Sequence, residues 1–435
     1  MRSEPHRSRR DLVSRGNALD YVAAAANRGW YRARAYARPL VRWRVPVARI
    51  TGTVAGTTHE GTIVVAGWKR TVAYYASRFF ETMSEPVTIA NVPVLRLPTV
   101  LKAAREDCDL VVARVPGPGS HQLFDDFYLH VPEAVDARLE VPADSSALAL
   151  ASTRARRNVG RVRDNGLTWT VSTDEADFPS FYHDFYVPFL RTRYGDLAHE
   201  VDRATLLRAY RRGCILWVHK DGRRVAGALF QPHGPVLGWL VMGALTEGED
   251  AAKIGALSAI YLFGAECAAQ HGFRWLDLGF SKASPRDGVL SHKASWGARV
   301  YCPWKVDHDL LVGWRTLSDD VANFLNDTPL IFREGPALSA VTALSADDRI
   351  RAADPIAVGQ KIAMHGLSNV YVTGVPAGRV HSSQGKVGTV VHAVPAGSSM
   401  EFRRIARQMS ASGFPAISAG DTQAVERLSQ AGQTS

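Results

Sequence analysis

Arg274-Trp-Leu-Asp-Leu-Gly-Phe-Ser-Lys-Ala-Ser-Pro-Arg-Asp-Gly-Val-Leu-Ser-His-Lys-Ala-Ser-Trp-Gly-Ala298 is the stretch on which the reading of the fold turns. Phe273 to Leu278 is a short apolar run bounded by Gly272 and Gly279, which predicts a buried strand. The Ser, Pro, Asp and Gly that follow are exposed turn chemistry. Leu290 to Trp296 then brings His292, Lys293, Ser295 and Trp296 toward the mouth of that strand. Ligands of open α/β folds collect at the carboxyl ends of strands, so this polar loop is the candidate site. An ordinary strand-loop-helix connection with solvated charges is the competing reading.

Upstream, the elements alternate. Glu249 to Gln270 is a helix apolar almost all round, which predicts burial. Before it come an apolar strand, Pro235 to Ala244, and a hairpin. Cys214 to Lys220 and Arg224 to Gln231 flank the Asp221-Gly222 turn. Asp177 to Arg193 is an amphipathic helix carrying Phe181, Phe185 and Phe189, with Asp177 as N-cap and a kink at Pro188. It ends Arg191-Thr-Arg193-Tyr194-Gly195, where arginines also suit the helix dipole. Ser152 caps a basic helix whose Arg154, Arg157 and Arg161 share one face, and Leu167 to Ser172 is a strand. Earlier still, Val45–Arg49, Thr62–Ala66 and Asp109–Val115 read as strands. Trp68–Thr82 and Leu101–Glu106 read as helices, and Pro86–Leu97 as extended chain.

Downstream, Tyr301–His308 is a predicted strand, Leu310–Trp314 a helix start and Ser318–Asn326 a helix. Residues 335–354, rich in Ala, Ser and Asp, read as a linker. Beyond it lie a helix over Pro355–His365, strands over Asn369–Thr373 and Gly388–Ala393, and a helix over Met400–Ser410. Segments at Pro415–Ser418 and Thr422–Gln430 complete a small α/β appendage. Gly374 to Gly378 is a turn, not a phosphate loop.

A chain of 435 residues is too long for one core. It contains no apolar run of about 18 residues, so no membrane-spanning helix is expected. Arg9-Arg10 is not followed by the apolar region of an export signal. Cys108, Cys214, Cys267 and Cys302 lack metal or disulfide spacing, which points to a reducing cytoplasm and no metal. Of the net charge of +10, almost all falls in residues 1–50, where twelve arginines face three acids. With Trp30, Tyr31, Tyr36 and Trp43 interleaved, this arm suits tRNA or an anionic membrane surface, or is a solvated tail. No DNA partner is expected.

The order of these elements, together with Leu276-Asp277-Leu278-Gly279 and Gly288-Val-Leu-Ser-His292-Lys293-Ala-Ser-Trp296-Gly297, resembles GNAT-fold acyltransferases of the Fem-type peptidyltransferase and cellulose-biosynthesis acetyltransferase branch. The likeness spans roughly residues 148–310. His292 stands where that family usually has an aromatic residue before the lysine. The resemblance implies an α/β fold of tandem GNAT-like mixed sheets flanked by helices, plus the C-terminal α/β appendage. The expected divisions are a basic arm (1–44), a degenerate half (45–147), the acyltransferase domain (148–334), the linker (335–354) and the appendage (355–435).

By the same resemblance the chain transfers an acyl or aminoacyl group to an amine, such as an amino sugar or another cell-envelope or polysaccharide precursor. Lys293 would lie near the reacting carbonyl, where an ammonium stabilises a developing oxyanion. Asp277 would orient the acceptor amine, take its proton, or merely cap the loop; His292 is the alternative base. Arg157, Arg191, Arg193, Tyr194, Ser281 and Trp296 are the candidate substrate-binding residues. The expected co-substrate is acyl-CoA, although Glu247, Glu249 and Asp250 sit where its diphosphate would lie. The alternatives are an aminoacyl-tRNA donor, which the arm would suit, or a catalytically degenerate scaffold. The expected location is cytoplasmic or peripheral at the inner membrane face.

Overall fold

The computed structural model describes residues 44–411, except 68–69, 117–122, 196–199, 247–250, 303–307, 377–380 and 396. The basic arm, the acids of the expected donor turn and the segments over 415–430 lie outside the described residues, as does the side chain of Tyr194. The chain divides into two compact units. Among the described residues one takes 136–280 and 292–299, and the other takes the remainder.

The larger unit contains two sheets. The first is built from β1 (Arg44–Val54), β2 (Glu60–Ala66), β3 (Phe80–Met83), β4 (Val87–Pro93), β5 (Leu110–Pro116), β6 (Leu129–Pro132) and β14 (His308–Trp314). Its order is β3-β1-β2-β5-β14-β6, with β4 also on β1. β1 pairs antiparallel with β2, while β2 and β5 run parallel and are linked through α1 (Arg70–Phe79) and α2 (Leu97–Ala104). Val47, Val64, Val111, Leu97 and Leu101 close the core on that side. Two expectations change here. The helix expected to Thr82 stops at Phe79, and Phe80–Met83 pairs with β1 instead. The helix expected from Leu101 already starts at Leu97.

Leu310–Trp314, expected as a helix start, is strand: β14 inserts antiparallel between β5 and β6. Asp309-Leu-Leu-Val-Gly-Trp is apolar on both faces because both are buried, and such a short run has no periodicity to tell strand from helix.

The second sheet of this unit joins β15 (Leu330–Glu334), β16 (Ala337–Ala343), β17 (Leu367–Val375), β19 (Val390–Pro395) and β18 (His381–Gln384), in that order. Residues 335–354 are therefore not a linker. Ala337–Ala343 is a buried strand paired with β15 and β17, followed by α10 (Ala346–Ile350) with a Ser345/Asp348 capping box. Small residues mimic linker composition, yet they are what a crowded interior strand accommodates. The helix expected to His365 is shorter, α11 (Pro355–Gln360). α9 (Asp319–Asp327) and α12 (Ser399–Ala411) complete the unit.

The smaller unit holds the third sheet, whose strands run β7 (Val135–Glu140), β12 (Trp275–Ser281), β11 (Val236–Ala244), β10 (Arg223–His233), β9 (Cys214–Lys220) and β8 (Thr168–Ser172) in order. β13 (Arg299–Tyr301) follows in the chain. The β9–β10 hairpin turns at Asp221 and Gly222, both at positive φ as a primed turn requires. β11 and β12 run parallel, bridged by α7 (Ala256–Gln270), whose residues are buried nearly all round. Its helices are α3 (Thr153–Asp164), α4 (Asp177–Ser180), α5 (Val187–Tyr194), α6 (Arg203–Tyr210) and the end of α8 (Gly288–Ser295). The fold is mixed α/β, each of these larger sheets combining antiparallel pairs with a parallel one. The halves are not consecutive, however: β7 lies in the third sheet and β14 returns to the first.

Ser152 caps α3 as expected, accepting from Ala155 N at 3.0 Å. Asp177 does not cap its helix. It lies within α4 and forms a bidentate pair with Arg224 at 2.7 and 3.1 Å. Between α4 and α5 the chain widens into a π-helix, Phe181–Tyr186. Pro188 has no N–H for the carbonyl four residues back, and the wider turn relieves that mismatch. The π segment packs on β11 at Gly243, where an added Cβ would come within 2.4 Å of the Phe185 carbonyl carbon and 2.5 Å of the Tyr186 nitrogen. Gly243→Ala is therefore expected to cost about 2 kcal/mol, read by urea unfolding, since backbone cannot swing aside as a side chain can.

Candidate functional site

The site grows from the place where two parallel strands part. β11 and β12 pair only from Val236/Trp275 to Gly238/Asp277. Beyond that register β11 continues to Ala244 without pairing to β12 among the described residues. Just past the parting, Leu240 is an extra residue between Val241, opposite Leu229, and Trp239, opposite Phe230. Such a bulge bends its strand and leaves an edge where two strands would otherwise be bonded. Leu240 and Phe280, one from each parted strand, are both exposed.

Asp277 stands at the last paired position. Its Oδ1 accepts from Gly279 N at 2.9 Å, the loop-capping role, and its Oδ2 accepts from Arg138 at 3.1 Å. Gly279, at positive φ, makes the turn that Asp277 caps. Lys293 is 4% exposed. Its Nζ donates to the carbonyls of Gly279 and Phe280 at 2.7 and 2.9 Å, so it ties α8 to the end of β12. Lys293 thus reaches carbonyls, but two belonging to the protein itself.

His292 lies in a layer of aromatic side chains. Its ring meets Tyr261 edge-on at 4.9 Å, Tyr261 stacks on Trp296 at 5.5 Å, and Trp239 abuts Tyr261 at 4.8 Å. Trp296 Nε1 donates to His292 Nε2 at 3.2 Å. An accepting Nε2 carries no proton, so the neutral imidazole holds it on Nδ1. Burial first, then the positive charges of Arg154, Arg193 and Lys293, push the His292 pKa down from 6.5 to about 4. Near neutral pH this side chain is a neutral hydrogen-bond donor set among cations. With Nε2 occupied, it is not poised as the base the sequence suggested.

The arginines expected to bind substrate separate into two groups. Arg191 pairs with Glu200 at 3.2 Å, and Glu200 also takes the Tyr182 hydroxyl at 2.8 Å, so Arg191 is held at the end of the π-helical segment. Arg193 lies over Phe189 at 5.7 Å and acts on His292 by its charge. Arg157 is exposed on α3 beside Arg154 and Arg161. Arg161 packs its stem against Gly255, the left-handed N-cap of α7, with a Cβ built there 3.2 Å from the arginine Cγ and Cδ. A guanidinium and a helix N-terminus converge at this end of α7, two features that attract anions. α3 is anchored by Ser152 Oγ, which donates to Ser295 O at 2.7 Å. Trp296 is fully buried and positions His292. Ser281 lies at the end of β12 in the larger unit, 8% exposed, its hydroxyl without a hydrogen-bond partner among the described residues.

Sequence reading missed Arg138, Glu200, Trp239 and Tyr261. The two aromatics carry no local signal because they are indistinguishable from core residues of an apolar strand and helix. Among the described residues no cluster of side chains suits a metal ion, and no helix is long and apolar enough to cross a membrane.

No family model matches the chain, and no curated protein matches it. Among solved structures it is similar to FemX, at 13% identity and a TM-score of 0.34, over 60% of this chain and 82% of that one. It is similar to L-PGS from Bacillus licheniformis at 12% identity and a TM-score of 0.30, over 58% and 77% of the two chains. A GCN5-related N-acetyltransferase from Kribbella flavida matches at 10% identity and a TM-score of 0.25, over 70% and 68%.

Proposed function

We propose that the chain is an acyltransferase that passes an acyl group from a phosphate-bearing thioester, an acyl-CoA, to an amine. The observation that carries this reading is the neutral His292, its proton assigned to Nδ1 by Trp296 and its surroundings made positive by Arg154, Arg193 and Lys293. Attack of an amine on a thioester puts negative charge on the former carbonyl oxygen. A neutral donor in a fixed, electropositive setting stabilises that charge without reorganising. Asp277, bonded to Arg138 and Gly279 at the end of the paired strands, is the carboxylate on hand to orient the incoming amine. Arg157 and Arg161 with the N-terminus of α7 supply the phosphate grip, and the parted edge of β11 offers backbone groups to an extended donor.

An aminoacyl-tRNA presents the same phosphate chemistry, so one experiment compares the donors. Thermal unfolding is measured with acetyl-CoA, a long-chain acyl-CoA or bulk charged tRNA. A ligand at about a hundred times its dissociation constant adds about 2.7 kcal/mol. Stabilisation by a CoA ester supports the proposal; a response to tRNA alone replaces it with aminoacyl transfer; silence from all three favours a scaffold. Arg161→Glu should weaken the responding ligand at least tenfold at an unchanged ligand-free unfolding temperature. Equal affinity in that variant would remove Arg161 from the grip.

A further inference from the structure

The sheet β15-β16-β17-β19-β18 carries a line of hydrogen bonds from a serine to a carboxylate that acyl transfer in the other unit does not use. Ser382 on β18 is the cross-strand partner of His392 on β19, and its Oγ lies 2.7 Å from His392 Nδ1. His392 Nε2 lies 3.1 Å from Asn369 Oδ1. Asn369 Nδ2 donates to Glu334 Oε2 at 3.0 Å and to Ser410 Oγ at 3.2 Å. Glu334 also accepts from the Tyr371 hydroxyl at 2.8 Å and from Ser339 Oγ. The ring of Tyr371 stacks on the imidazole at 5.0 Å.

These bonds leave one consistent set of protons. With its amide hydrogens given to Glu334 and Ser410, Asn369 can only accept at Oδ1, so His392 Nε2 carries the ring proton. Nδ1 is then bare, and the hydroxyl of Ser382 must donate to it. A serine donating to an imidazole that a third group orients is the arrangement that activates an oxygen nucleophile. Ser382 is 5% and His392 3% exposed, so the pair is shielded from bulk water. β18 is the last strand of its sheet, and backbone N–H groups on its outer side meet no further strand among the described residues.

We propose that Ser382 is a nucleophile and that this sheet holds a second catalytic centre, an esterase-type site for small carboxylic esters. Ser382 Oγ bonds to the ester carbonyl carbon as its proton passes to His392 Nδ1. The C–O bond to the alcohol then breaks and the alcohol leaves with that proton, giving an acyl-serine. Water attacks the acyl carbon, His392 takes its proton and returns it to Ser382 Oγ, and the carboxylic acid departs. The balance is ester plus water to acid plus alcohol.

The test is labelling of the folded full-length protein with a fluorophosphonate, which transfers its phosphonyl group to an activated serine and releases fluoride. Trypsin yields the peptide 380–386, which contains both Ser382 and Ser383. Label on this peptide is expected in the wild type and in Ser383→Ala, and its absence in Ser382→Ala. His392→Gln, checked for native circular dichroism, should slow labelling by about 10²–10⁴-fold. An unlabelled peptide 380–386 in folded wild type, or label that survives Ser382→Ala, overturns the proposal. Should His392→Gln not fold, the two serine variants decide alone.

Discussion

Lys293→Met is expected to destabilise the unit that contains it by about 3 kcal/mol, measured by urea titration of tryptophan fluorescence. Methionine keeps most of the side chain's length but cannot bond the carbonyls of Gly279 and Phe280. Hydrogen bonds from a charged donor contribute about 1.5–3 kcal/mol each, and a buried carbonyl left unpaired adds a penalty. Removing the buried charge recovers part of that loss. A change under about 1 kcal/mol would show that water satisfies those carbonyls, which would return Lys293 to the list of groups available to substrate. Any accompanying loss of activity would follow from a displaced end of β12, so stability and activity should fall together.

His292→Phe should separate the two. Phenylalanine preserves the ring contact with Tyr261 but removes Nδ1–H. With the donor established by the binding comparison, kcat should fall by about 10²–10³-fold, as for loss of one oxyanion donor, with little change in KM. His292→Gln, which restores an N–H donor, should recover part of it. Trp296 Nε1 loses its acceptor in the phenylalanine variant, so some destabilisation is expected there too. A variant that keeps kcat within about threefold would exclude His292 from stabilising charge.

The sequence was most legible where structure is local. Asp221-Gly222 specified a hairpin because a primed turn needs two positive φ angles and these residues tolerate them. Ser152 marked a helix start because its hydroxyl reaches an N–H within its own first turn. Legibility failed for Leu310–Trp314 and Ala337–Ala343. Both are interior strands whose two faces are buried, and burial on both sides erases alternation. Asp177 shows the same limit for a polar residue. Its position suited an N-cap, but Arg224, distant in sequence, supplies two hydrogen bonds instead of one.

At the candidate site the sequence by itself brought forward Asp277, His292, Lys293 and Trp296, and placed them at the end of a strand. It also marked the Ser152 cap, the hairpin and the buried helix that deliver that strand. The tertiary structure alone decided which partners those side chains meet. Asp277 became a partner of Arg138, Lys293 a clamp on two carbonyls, and His292 a neutral donor with its proton on Nδ1. It alone also returned β14 to the first sheet and placed β7 in the third. The physical reason is range. Backbone turns and caps are settled by atoms a few residues apart. A side chain's protonation and partner depend on whichever groups packing brings within about 3 Å, from anywhere in the chain.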